Sequence, residues 1–220
     1  MPLIHIRNVI FDFDGTIVDS YGPITRSFNC ALAHFGKPEL TVDGVRPYVG
    51  IGLEVGMEHL LGKDNADEGV RLFRELYDRI YIEGTKLMPS ARETLDALHG
   101  RFHMGLCSNK MGSAVRGIAG HLAIDRYFDV ILGAHDVPEL KPHPVMLEKA
   151  LETMGATPAD SLFVGDTLVD VEFSRACELL YVLVLGGSGT RAELQTANPV
   201  ALLENLAQLP PFLGVSKRKR

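Results

Sequence analysis

A chain of 220 residues that is 46% hydrophobic and 23% charged has the balance of an ordinary globular protein, long enough for one generous domain or for a core with a smaller inserted unit. A formal net charge of −6 argues against nucleic acid as the principal partner, though it leaves room for a locally positive pocket. The longest apolar runs, such as Leu179 to Leu185, are far too short to span a bilayer, so neither nucleic acid nor membrane is expected as a partner.

The first element is the segment Asn8-Val9-Ile10-Phe11-Asp12-Phe13-Asp14-Gly15-Thr16. Val9 to Phe11 is apolar without polar alternation, the pattern of a strand buried on both faces of a parallel sheet. Asp12 and Asp14 follow at i and i+2, which puts both carboxylates on one side of an extended backbone, and Gly15 breaks the strand after them. Two like charges at a buried strand end need a positive counterpart.

From Tyr21 to Gly84 the sequence shows no buried strand. Ile24, Phe28, Ala31, Leu32 and Phe35 recur at helical spacing. Leu53 to Leu61 reads as a short helix stopped by Gly62, and Ala66 to Ile82 as a longer one with Val70, Phe73, Leu76, Tyr77 and Ile80 on one face. This block is expected to be a small helical bundle inserted after the first strand.

Strand and helix then alternate. Ser90 to Glu93 has the spacing of a capping box, opening a helix that runs to Gly100. Strands are expected at Met104 to Ser108, Val130 to Leu132, Ser161 to Val164 and Tyr181 to Leu185, with helices at Gly112 to His121, Pro144 to Met154 and Leu168 to Cys177. After the Gly186-Gly187-Ser188-Gly189 turn, Pro199 to Leu206 is expected to be a closing helix. Repeated βα units of this kind build a parallel, doubly wound α/β sheet with helices on both faces. The basic run Ser216 to Arg220 reads as a solvated, disordered end.

Cys30, Cys107 and Cys177 form no C-x-x-C pair, and the eight His residues show no metal-ligand spacing. With no secretory pattern in Met1 to Arg7, the expected location is cytoplasmic.

Ligands of open α/β sheets sit beyond the carboxyl ends of the strands, and four strand ends carry polar groups there. These are Asp12 and Asp14; Ser108, Asn109 and Lys110; Lys141 before Pro142; and Gly165-Asp166-Thr167-Leu168-Val169-Asp170. Several carboxylates at one edge are tolerable only with a cation: two charges about 4 Å apart repel by about 4 kcal/mol at an effective dielectric of 20. An all-oxygen, carboxylate-rich site suits Mg²⁺. Cation, lysine and neutral donors together describe a phosphate site.

Asp12-x-Asp14-Gly15-Thr16, Ser108, Lys141 and Gly165-Asp166-x-x-x-Asp170 resemble, in order, the four signature motifs of the haloacid dehalogenase superfamily. Ser-Asn-Lys at 108–110, Lys-Pro-x-Pro at 141–144 and Val-Gly-Asp-Thr at 164–167 resemble its phosphoglycolate phosphatase-like branch. The resemblance implies a Rossmann-like core at 1–18 and 86–213, an all-α helical cap at 19–85, and a disordered tail at 214–220. It implies Asp12 as nucleophile, Asp14 as acid/base, and Ser108 and Lys141 on the phosphoryl group. Mg²⁺ would be held by Asp12, the Asp14 carbonyl and Asp166, with Asp170 as ligand or support. Gly15, Thr16 and Asn109 would join the phosphate site, and Arg46, before Gly50 and Gly52 in the cap, could pair a substrate carboxylate. The sequence departs from the family pattern at Cys177-Glu178, where relatives often carry a small residue and Gly.

The expected activity is hydrolysis of a small phosphorylated metabolite, 2-phosphoglycolate first, by a monomer or homodimer. A sugar phosphomutase and a nucleotide- or pyrophosphate-specific phosphatase stay open. Asp14 disfavours a dehalogenase, and the intact acidic set disfavours a non-enzymatic binding module.

Overall fold

The structure is a computed structural model that describes residues 5–215; the basic run Ser216 to Arg220 lies outside the described residues. The chain begins with β1 (Asn8–Phe11), buried throughout. A turn leads to β2 (Val18–Asp19), after which the chain becomes helical: α1 (Tyr21–His34), the single turn α2 (Val42–Val45), α3 (Leu53–Leu61) and α4 (Lys63–Gly84). It returns through β3 (Lys86–Leu87), which pairs antiparallel with β2, so the helical block leaves and re-enters the core through one two-stranded ribbon. Gly62 separates α3 from α4 at φ +79°, the left-handed conformation that glycine adopts without steric cost.

The alternating part follows with α5 (Ala91–Leu98), β4 (His103–Met111), α6 (Gly112–His121), β5 (Val130–Ala134), α7 (Val145–Met154), β6 (Ser161–Gly165), α8 (Leu168–Ala176) and β7 (Leu180–Val184). It closes with α9 (Arg191–Thr196), β8 (Ala201–Leu203) and α10 (Leu209–Phe212). Six strands form one parallel sheet in the order β5-β4-β1-β6-β7-β8. The chain winds outward from β1 to β4 and β5, then crosses back to β6, so strand order reverses between β1 and β6. That reversal is where open α/β sheets form their ligand crevice.

Side-chain alternation divides the sheet between two cores. Val9, Phe11, Leu106 and Val164 face α5 and α6, whereas Ile10, Cys107, Phe163 and Leu183 face α7, α8 and α9. A third apolar cluster fills the helical block, centred on Phe28, whose ring meets Phe73 edge-on at 5.0 Å.

Three local expectations are corrected. Ser90 does not cap α5 with its side chain; it sits at φ 64°, in a turn where the Ala91 amide donates to the Met88 carbonyl, and that left-handed backbone is not the extended one a capping residue adopts. The closing helix at Pro199 to Leu206 is instead the sixth strand, β8, because the apolar Ala201, Leu202 and Leu203 add to the free edge of β7. The missed helix α9 carries a true capping box, Thr190 with Glu193. At the C-terminus the packed core extends past 213: Val215 is buried and its amide donates to Pro210.

The departure at Cys177-Glu178 has a backbone consequence. Glu178 adopts φ 57° and donates to Arg175 while Leu179 donates to Ser174, the paired bonds of a left-handed helix terminus that favours glycine. Glu178→Gly is therefore expected to stabilise the protein by about 1 kcal/mol, since a non-glycine residue pays about 1–2 kcal/mol there and glycine returns part of that in chain entropy. Urea denaturation should show a raised midpoint at unchanged slope.

Candidate active site

The carboxyl ends of β1, β4 and β6 converge at the strand-order reversal. Register sets the convergence: Phe11 is level with Leu106 on one side and Val164 on the other, so Asp12, Ser108 and Asp166 emerge close together. Asp12, Asp166 and Asp170 present carboxylate oxygens within 4.8 Å of one another, and all three residues are buried.

Each carboxylate is held in its own way. Asp170 stands at the third position of α8 and accepts from the backbone amides of Asp166 (3.1 Å) and Thr167 (3.0 Å) and from the Thr167 hydroxyl (2.8 Å) with one oxygen. Its other oxygen accepts from the Lys141 ammonium at 2.8 Å. Lys141 also donates to Asp12 at 2.6 Å, bridging the two acids. Asp166 accepts from the Thr16 hydroxyl at 2.7 Å and the Ser188 amide at 2.7 Å. Gly15 makes this crowding possible: at φ +84°, a Cβ there would lie 2.5 Å from an Asp166 oxygen.

Asp14 belongs to a separate pair. Lys110 reaches it at 3.0 Å with both side chains almost fully buried, and the Ser20 hydroxyl donates to its other oxygen. Burial opposes the charge on Lys110, and the attraction of Asp14 outweighs that cost and raises its pKa. The same balance raises Lys141 between Asp12 and Asp170.

Counting charges gives Asp14 with Lys110 as a neutral pair, and Asp12, Asp166 and Asp170 against a single Lys141. A net charge of about −2 is left in a region shielded from water. Burial pushes the Asp12 carboxyl up to about 7, with Lys141 opposing and Asp170 and Asp14 adding to the rise. Burial likewise holds Asp166 well above the usual carboxylate range, reinforced by Asp12 and Asp170. No protein donor among the described residues reaches the second oxygen of Asp12. An all-oxygen set with an excess of two negative charges fits a hard divalent cation such as Mg²⁺.

A cavity of about 270 Å³ opens over Asp12, Asp14 and Ser108 and is roofed by the helical block through Tyr48, Phe73 and Tyr77. Three residues expected to bind substrate, Thr16 and Asn109 at the phosphate and Arg46 at a carboxylate, have other partners. Thr16 is committed to Asp166, as above. Asn109 spends both ends of its amide on tethers: it accepts from the Lys141 amide (2.8 Å) and donates to the carbonyls of Lys141 (2.9 Å) and Gly50 (2.8 Å), tying the lysine loop and the helical block to β4. The Arg46 guanidinium lies over the Tyr21 ring at 4.3 Å and donates to the Gly186 and Gly187 carbonyls, a second tether between block and core. Ser108 lies on the cavity wall, its hydroxyl accepting from the Lys110 amide at 3.2 Å.

Lys110, Ser20 and Ser188 carry roles the sequence reading did not assign. Lys110 had a signal: it lies two residues beyond Ser108, on the same side of an extended strand, and β4 does continue through Met111. A register shift between β4 and β5 from Cys107 to Met111 aims this segment at the site. Nothing local marks Ser20 or the amide of Ser188.

The comparisons agree with this geometry. A family model for the haloacid dehalogenase-like hydrolases matches residues 9–184. The chain belongs to that family. It is 33% identical over 222 residues to the phosphoglycolate phosphatase of Yersinia pestis, covering 97% of this chain and 96% of that one. The phosphoglycolate phosphatase of Escherichia coli K12 is also 33% identical, over 235 residues covering 96% and 93%. Among solved structures, a haloacid dehalogenase-like hydrolase of Streptococcus pneumoniae superposes with a TM-score of 0.88 at 27% identity, covering 94% of this chain and 98% of that one. A predicted phosphoglycolate phosphatase of Haemophilus somnus gives 0.86 at 25% identity, covering 94% and 97%. Within the family, this chain is a phosphatase. No helix among the described residues is long and apolar enough to cross a membrane.

The buried charge makes stability depend on pH and on the cation. Asp12 holds its proton more tightly folded, at about 7, than in the unfolded chain, near 3.8. The folded state therefore binds more protons between those values, and in chelator stability should fall as pH rises from about 4 to about 7, by on the order of 4 kcal/mol at most. Saturating Mg²⁺ should flatten the decline. Asp166→Asn, which removes one charge while its amide can still meet Thr16 and Ser188, should melt several degrees above the wild type at pH 8 in EDTA, with no further rise on adding Mg²⁺. Scanning calorimetry reads both.

Proposed function

We propose that the protein hydrolyses a small phosphomonoester, with 2-phosphoglycolate as first substrate, through a phosphorylated Asp12. The observation that carries this reading is the division of the two β1 acids. Asp12 sits in the net-negative cluster bridged by Lys141, and Asp14 sits in a neutral pair with Lys110, yet both line the same cavity. Two carboxylates in environments so different are suited to different tasks.

Asp12 attacks phosphorus with its free oxygen, and the bond to the leaving alcohol breaks as the aspartyl-phosphate forms. Asp14, protonated at the outset, gives its proton to the departing oxygen and is left as the carboxylate paired with Lys110, then takes a proton back from the water that attacks the same phosphorus and frees Asp12 and inorganic phosphate. Lys141 favours the ionised form of Asp12 and orients it, and Ser108 offers its hydroxyl to a phosphoryl oxygen. Asp12, Asp166 and the Asp14 carbonyl would hold Mg²⁺, with Asp170 behind them, and the ion would supply positive charge against the phosphoryl oxygens. Such charge placement and positioning account for most of the catalysis of phosphoryl transfer. The substrate assignment rests on the names of the relatives and on a cavity of about 270 Å³, a volume for a small metabolite.

Hydrolysis of 2-phosphoglycolate should need Mg²⁺, vanish in EDTA, and fall by at least about 10³-fold in Asp12→Asn, with Asp14→Asn losing about 10²–10⁴-fold. Acid quenching with labelled substrate should trap label on the wild-type protein and none on Asp12→Asn. Release of inorganic phosphate identifies the hydrolase. Conversion of a sugar phosphate to its isomer without release would replace this reading by a mutase.

A further inference from the structure

One peptide group joins the helical block to a carboxylate of the acid cluster. After β7 the chain turns through Gly186, Gly187 and Ser188, and the Ser188 amide donates to Asp166 at 2.7 Å. The carbonyl of that same peptide unit, on Gly187, accepts from the Arg46 guanidinium. A trans peptide is planar and points its N–H and C=O in opposite directions, so the two bonds lie at opposite ends of one rigid plane. Fixing the carbonyl end therefore fixes the direction of the amide that Asp166 meets.

Arg46 is itself fixed. Its Nη1 also donates to the Gly186 carbonyl at 3.2 Å, so two successive carbonyls converge on one nitrogen. Its Nε donates to Asp43 at 3.1 Å within the block, and its central carbon lies 4.3 Å from the centre of the Tyr21 ring. Tyr21 is 3% exposed, and its hydroxyl shares a hydrogen bond of 2.9 Å with that of Ser188. Two side chains of the block thus grip the turn, and the turn grips Asp166 twice: through the Ser188 amide on the carboxylate, and through the Gly189 amide, which donates to the Asp166 carbonyl at 3.0 Å. The one other described donor to the Asp166 carboxylate is Thr16, on its second oxygen. A cationic donor on a carbonyl also polarises its peptide and strengthens the amide at the far end.

We propose that Arg46 is a positioning residue for the cation site: through the Gly187–Ser188 peptide it holds Asp166 in its binding orientation, and so couples the seating of the helical block to cation affinity. This goes beyond the phosphatase reading and rests on its placing of Asp166 at Mg²⁺. Groups that orient a ligand from behind typically change metal affinity 10–100-fold when removed. Arg46 is not among the residues lining the cavity over Asp12 and Asp14, so the substrate contact expected from sequence is not its task. Linkage makes the coupling reciprocal: the cation steadies the seated block as much as the seated block favours the cation.

Calorimetric titration of Mg²⁺ into the substrate-free full chain reads the effect directly. Arg46→Met keeps the aliphatic stem, loses the guanidinium, and should weaken Mg²⁺ binding about 10- to 100-fold. Arg46→Lys, with a charge able to serve one carbonyl, should show an intermediate loss, and it decides the question alone if Arg46→Met does not fold. Tyr21→Phe keeps the ring, loses the Ser188 bond, and should weaken binding less than Arg46→Met. Hydrogen exchange across residues 42–61 should slow when Mg²⁺ is added to the wild type and respond less in Arg46→Met. In turnover of 2-phosphoglycolate, the Arg46→Met defect should appear as a raised Mg²⁺ requirement and disappear at saturating Mg²⁺, with KM for the ester then unchanged. Unchanged Mg²⁺ affinity, or a defect that persists at saturating Mg²⁺ as a raised KM, would overturn the inference and leave the phosphatase intact. A wild type that binds no Mg²⁺ would overturn both. A wild type that binds Mg²⁺ and hydrolyses no phosphomonoester would overturn the phosphatase reading, whereas weaker Mg²⁺ binding in Arg46→Met would still support the positioning role.

Discussion

The site depends on one lysine among three buried acids. Lys141 donates to Asp12 and Asp170 at once and is itself almost fully buried. One positive charge against three negative ones leaves a deficit that the protein does not correct from its own side chains. The surroundings are built to hold that deficit in place: Asp170 is anchored by the two amides just before its own helix, Asp166 by Thr16 and Ser188, and the Lys141 backbone by Asn109. An arrangement this costly persists in a folded chain because something of opposite charge is meant to complete it. It illustrates the general exchange of stability for a prepared site.

Much of this was readable from residues alone. The buried strand before Asp12, the alternation of strands and helices, and the set of acids and lysine at four strand ends gave the fold class and the core of the site, because burial on both faces and i, i+2 alternation are local properties of the chain. What was not readable depended on contacts between distant segments. Asn109 and Thr16 look like phosphate ligands in a linear motif, but folding brings a lysine loop beside one and Asp166 beside the other, and each side chain is consumed there. Ala201 to Leu203 has the composition of a helix and becomes a strand because β7 offers an open edge. Ser90 fails as a cap since its left-handed backbone departs from the extended geometry that a capping side chain needs. Arg46 was legible as a charge ahead of two glycines, yet nothing local discloses the Gly187 carbonyl that folding brings to it from 141 residues away.

The helical block is joined to the sheet by side chains as well as by the chain itself. Asn109 reaches the Gly50 carbonyl, and Arg46 reaches the turn that also positions Ser188 against Asp166. The roof of the cavity and the surroundings of the acid cluster are thus held by overlapping groups, with Gly50, Gly186 and Gly187 as shared points of contact.

The β2–β3 ribbon has a mechanical consequence. Both crossings of the chain into the helical block occur there, and Ser20, the first residue beyond β2, holds Asp14. A pivot at the ribbon would thus coincide with the position of Asp14. α4 starts its return from the far end of the block and runs for 22 residues, about 33 Å, to that pivot. A rotation of about 10° would carry its distant end about 6 Å, move the level of Tyr77 about 2 Å, and leave Asp14 almost still. With its pivot beside Asp14, the block could swing over the cavity while the carboxylates beneath it keep their places.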